Sequence, residues 1–243
     1  MTIAEMGASG FRWFIGVVED RQDPLMLGRC RVRIYNVHSD DKTMMPTATL
    51  PWAVPVTPLV SASNQKVGLS PNGPTLGTIV FGFFADGVEA QMPVMLGTLP
   101  GIPENKMEKH DVPDPAREIN SVKKEPLGPE PSSPYAAKYP YNKVFRSESG
   151  HVIEVDDTPG AERLQVYHRT GTYTETNHEG RFVRKVVNDD YEIIAKDQTV
   201  YVGGNVKVIV KGNVDIRVNG TYTVVADKPM TFIAPRIDLN PEE

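Results

Sequence analysis

The sequence predicts an all-β protein, and three observations carry that expectation. Its 20 Gly and 21 Pro among 243 residues exceed ordinary use, which works against long helices and for short strands divided by turns. Apolar and polar residues alternate over short runs, the period of a strand with one buried face. A Val-x-Gly unit also returns every eight residues, at Val202, Val210 and Val218 with Gly204, Gly212 and Gly220, which marks a repeating unit with a turn residue in each copy.

The first zone, residues 1–99, is predicted to be a small barrel. Phe11 to Val18 opens it, Glu19 to Pro24 supplies turn chemistry, and Leu27 to Val37 follows as a strand. In that strand Cys30, Val32 and Ile34 share one face and Arg29, Arg31 and Arg33 the other. Trp52 to Thr57, Gly77 to Phe84 and Met92 to Thr98 complete five candidate strands. Five strands in so short a span predict a closed barrel of the oligonucleotide/oligosaccharide-binding (OB) type.

Residues 100–143 change texture, with nine prolines between Pro100 and Tyr141. Proline fixes φ and removes a donor, so this zone is expected to run as an extended linker. About 40 residues are too few for an independent catalytic domain without disulfides or a metal.

In the third zone, 144–243, the eight-residue frame extends back through Lys196, Asn188 and Gly180, with Ile194 and Val186 at the valine position. Gly204, Gly212 and Gly220 are read as corners, because glycine tolerates left-handed backbone angles. Between corners Val206, Val208 and Val210, then Val214, Ile216 and Val218, take alternate positions. Each unit offers one thin apolar face and two open strand edges, so a single chain cannot close a core. Each buried Val or Ile is worth roughly 1.5–3 kcal/mol. Three chains wound about one axis close the edges, with Val202 and the six residues just named as the needle core. The closing stretch carries Phe232, Ile233, Ile237 and Leu239, too apolar for a frayed end and read as the seat of a separate tip protein.

Charge excludes some partners. The chain carries 26 basic and 31 acidic residues, a net charge of −5, and no zone has the positive excess that a phosphate backbone demands, so nucleic acid is not expected. The lone Cys30, on the apolar side of its strand, is expected to be a core filler. The opening MTIAEMGASG lacks the basic and apolar regions of a signal peptide, so synthesis in a cytoplasm and later assembly into a larger object are expected.

Candidate chemistry is sparse, and no catalytic, cofactor or metal site is expected. Glu148 and Asp157 stand nine apart, the spacing of a lysozyme acid pair, but Arg163 occupies the place of the required Thr and the segment is strand-rich. The pair is read as accidental. His38, His110, His151, His168 and His178 form no His-x-His pair and are read as surface or turn residues. The arginine stripe could bind a polyanion, but its expected partners are the acids Glu19, Asp20 and Asp23.

Five segments carry a resemblance. Residues 13–37, WFIGVVEDRQDPLMLGRCRVRIYNV, resemble the opening of the central spike, or cell-puncturing, proteins of T4-like contractile phage tails, including a DP-x-x-LGR-x-RVR core. LPWAVPVTP (50–58) and PVMLGTLPG (93–101) resemble later strands of their barrel. FRSESGHVIEVDDTPGAERLQVYHRTGTYTETNHEG (145–180) is similar to the lead-in to the needle of those spikes and of type VI secretion spikes, and the octads resemble their triple-stranded β-helix. The resemblance implies a homotrimeric spike in the virion baseplate, a trimeric hub partner for the barrel, a needle that punctures the host envelope, and an optional tip protein. The T4 spike has a lysozyme domain between barrel and needle, and only the linker stands there in this chain. Three other readings remain: a type VI or phage-derived bacteriocin spike, an OB-fold nucleic-acid binder with an oligomerising tail, and a peptidoglycan hydrolase.

Overall fold

A computed structural model describes residues 12–59, 69–101 and 130–238. Five strands, β1 (Trp13–Asp20), β2 (Cys30–Ile34), β3 (Trp52–Pro55), β4 (Ile79–Phe84) and β5 (Pro93–Leu99), form a closed barrel. Its order is β1-β2-β3-β5-β4, with β3 and β5 parallel and the other pairs antiparallel. The alternation read in the sequence points inward as expected: Phe14, Val18, Cys30, Val32, Ile34, Ala53, Val80, Phe84 and Met95 make the core. Burial pushes the Cys30 thiol up to about 11, so it is a filler and not a nucleophile.

Closure demands its tightest approach at Gly82. A Cβ on Gly82 would stand 2.1 Å from the Val94 carbonyl oxygen and 2.6 Å from the Phe14 ring, so only glycine lets β4 cross there. The register shifts between Phe81 and Gly82 and between Val18 and Asp20 bend the strands round the barrel.

The DP-x-x-LGR motif is a self-contained loop. The Asp23 carboxylate accepts hydrogen bonds from the backbone N–H of Leu25 (3.0 Å), Leu27 (2.9 Å) and Arg29 (3.2 Å). The Arg29 guanidinium donates to the same carboxylate, at 2.6 Å from Nη2. Gly28 supplies the left-handed turn at φ 73°, where a side chain would strike the Pro71 carbonyl.

Residues 142–185, which the sequence reading grouped with the needle from 144 onward, pair within the chain. They form an antiparallel meander of β6 (Asn142–Arg146), β7 (Val152–Asp156), β8 (Arg163–Tyr167), β9 (Tyr173–Asn177) and β10 (Phe182–Lys185). Gly150, Gly160, Gly171 and Gly180, all at positive φ, lie in its four hairpin connections. Gly180 therefore belongs to a hairpin turn.

Residues 189–238 make up most of a separate unit, with no strand ladder formed within one chain. Bends fall at 195–196, 203–204, 211–212, 219–220 and 227–228, a strict eight-residue period. Gly204, Gly212 and Gly220 take these bends without a left-handed φ, which corrects the reason given for them. The bend is open to L-residues, and Lys196 and Lys228 occupy the same frame. Most of the predicted linker, 102–129, lies outside the described residues, as do Phe11 and His110. Among the described residues no helix is long and apolar enough to cross a membrane.

Candidate assembly surfaces

The arginine stripe of β2 is committed to the barrel itself. Arg29 pairs with Asp23 at 2.6 Å, Arg31 with Asp20 at 3.6 Å and Arg33 with Glu19 at 2.8 Å. Arg31 also donates to the carbonyls of Ala48 and Leu50 and lies over the Trp52 ring, and Arg33 donates to those of Ser39 and Met45. Glu19 is the hub of this cluster. The two hydrogen bonds from Arg33 hold its carboxyl down to about 2, against the opposing effect of burial, with Thr47 and Lys42 assisting. Arg33 is itself buried, so the stripe works as an internal ladder.

The meander has two unlike faces. One is a buried polar network in which Arg163, on β8, donates to Glu175 of β9 at 2.9 Å and to Glu154 of β7, with Asn142 of β6 donating to Glu154 at 2.9 Å. The end of the predicted linker covers this face. Tyr135 lies 4.7 Å from the Arg163 guanidinium, the Lys138 N–H donates to Thr158, and the Glu130 carboxylate accepts from Tyr173 and Lys185. Burial and the Glu130 hydrogen bond together push the Tyr173 hydroxyl up.

The other face is apolar and open. Register sets Phe145, Ile153 and Val166 in one cross-strand row and Val155, Leu164 and Phe182 in the next. Phe145, Ile153, Val166, Leu164 and Phe182 are all more than half exposed. This face escaped the sequence reading, although alternation in HVIEVD and RLQVY is its signal; the Glu and Arg residues between are the buried ones.

In residues 189–238 every side chain is exposed. Val202, Val210 and Val218, two residues before each bend, stand at 48, 50 and 46% exposure, while Val206, Val208, Val214 and Ile216 reach 64–79%. Phe232, Ile233 and Ile237 are also exposed, and Leu239 lies outside the described residues.

The remaining candidates are not brought together. Glu148 is bound to Arg21 at 2.7 Å and Asp157 to Lys143 at 2.6 Å. His38, expected at the surface or in a turn, is a turn residue but a buried one. Its Nδ1 accepts the Ile34 N–H at 3.0 Å, and burial lowers its pKa.

Comparison with known proteins agrees with this architecture. The model of the Gp5 N-terminal OB domain matches residues 34–124. Protein Gp5 of Vibrio phage KVP40 is 38% identical over 270 aligned residues, covering 84% of this chain and 64% of that protein. The pre-baseplate central spike protein Gp5 of Enterobacteria phage T4 is 41% identical over 107 residues, 42% of this chain and 18% of that protein. The chain thus spans less than two thirds of either relative. It carries a Gp5 N-terminal OB domain and is similar to the Gp5 proteins of both phages.

Proposed function

We propose that this chain is the central spike of a contractile tail baseplate, working as a homotrimer and by mechanical means. The carrying observation is residues 189–238, where apolar side chains recur in an eight-residue frame and none is covered by its own chain. Extended backbone needs partners for its N–H and C=O groups, and three copies about one axis supply them while burying the valines. Val202, Val206, Val208, Val210, Val214, Ile216 and Val218 would form the core of that needle, with Gly204, Gly212 and Gly220 at its corners. The open meander face is a second apolar surface that association would cover, since its reverse is already covered by residues 130–141.

In this reading the barrel docks on a trimeric hub and the needle passes through the host envelope on sheath contraction. Stiffness is the useful property, and no cell-wall hydrolysis is required. Glu148 and Asp157 each serve an ion pair, and purified peptidoglycan should not be cleared by the protein. The polyanion reading of the β2 stripe loses its donors to Asp23, Asp20 and Glu19.

The apex residues Phe232, Ile233, Ile237 and Leu239 would seat a separate tip protein. Truncation after Ala226 should leave a trimer that no longer binds the tip protein; undiminished binding would remove the seat. The role itself is tested on purified tails by electron microscopy with an antibody to the barrel. Label should lie at the centre of the baseplate, and intact tails without the chain would contradict the assignment.

A further inference from the structure

Among the described residues, His151 and His168 stand side by side, and neither takes part in the barrel or the proposed needle. His151 immediately precedes β7 and His168 immediately follows β8, so extending the Val152↔Tyr167 register sets them opposite each other. Their ring centroids are 4.4 Å apart with the planes at 46°. Imidazole nitrogen is a good ligand for Cu2+, Ni2+ and Zn2+. Two imidazoles held at right angles on one ion, with metal–nitrogen bonds of about 2.1 Å, place their centroids roughly 4.5 Å apart; tetrahedral placement gives roughly 5.2 Å. The observed separation fits the right-angled arrangement, which Cu2+ and Ni2+ adopt.

For His168 the surroundings can set the tautomer that binding needs. Thr170 Oγ1 lies 2.8 Å from His168 Nδ1; with Nδ1 as the donor, the lone pair falls on Nε2, the orienting contact common to metal-bound histidines. The backbone N–H groups that approach the two Nδ1 atoms do so at 3.3 Å (Thr170 to His168) and 3.5 Å (Arg169 to His151), long contacts whose loss costs little. No group of three or more candidate ligands gathers among the described residues, so the pair supplies two ligands and water completes the shell.

We propose that His151 and His168 form a bidentate site for Cu2+ or Ni2+ that clips the start of β7 to the end of β8. The site is complete within one chain and stands whether or not the protein is a trimer. A ligand that binds only the paired strands stabilises them by mass action.

The test is a Cu2+ titration of the untagged full-length protein, read by electron paramagnetic resonance and by melting temperature. One equivalent per chain should show nitrogen coupling and raise the melting temperature. His151→Gln and His168→Gln should each weaken binding at least tenfold and abolish the thermal shift, and Thr170→Val should weaken it severalfold. Neither histidine is buried in the core, and circular dichroism of the metal-free variants should match the parent. Cu2+ bound equally well by the double histidine variant, or not bound by the parent at micromolar concentration, would overturn the proposal.

Discussion

Single side chains set the limits of the barrel. Glu19 is the sharpest case, because the hydrogen bonds from Arg33 hold its folded pKa near 2 against an ordinary 4.5. A depressed carboxylate contributes stability that is present above the unfolded value and lost as pH falls through the folded one. The barrel should therefore hold its stability above about pH 4.5 and lose it between there and pH 2, which a series of urea melts would show. Glu19→Gln leaves the buried Arg33 without its anion and should cost about 3 kcal/mol. It should also flatten that acid dependence. Gly82→Ala brings a methyl against the Val94 carbonyl and should cost about 2–3 kcal/mol through overpacking; an unchanged denaturation midpoint would contradict the close strand crossing.

Elements differ in how far the sequence discloses them. The barrel strands were legible where one face is polar, as in CRVRI, whose two-residue period is written directly in the residues, and where an apolar run lies between turn residues, as in IVFGFF, whose alternation shows only in burial. The partners of the three arginines were legible as a set, while their one-to-one assignment depends on the register shift between Val18 and Asp20, which no local pattern shows. The meander was not legible as a sheet, for a different reason. Its buried face is made of Glu154, Arg163, Gln165 and Glu175, so the usual equation of apolar with inside runs backwards there. That inversion can be recognised only once Tyr135 and its neighbours are seen to cover the polar side. The octads invite a contrast between their own positions. Val210→Asp would set three carboxylates together in the proposed needle core and should abolish assembly. Lys211→Ala, one residue on, should change thermal stability by no more than about 0.5 kcal/mol. Equal effects of the two substitutions in a melting experiment would remove the inward valine face.

Considered as one molecule, the chain couples a self-sufficient barrel to a C-terminal unit that has no core of its own. The barrel buries its own apolar face and pairs its own charges. Residues 189–238 bury nothing within the chain, and the meander between them closes one face and leaves the other open. In the proposed trimer such a chain would gain most of its ruggedness from association, with no disulfide needed from its lone cysteine. Association also carries a consequence for unfolding. If the copies share one core as proposed, the C-terminal part should resist heat and detergent beyond the barrel, and its loss should be concentration-dependent. The decisive measurement is sedimentation equilibrium of the full-length protein at micromolar concentration. A single species of three chains of 26.9 kDa each, about 81 kDa, is the expected result; a stable monomer at that concentration would contradict the shared needle.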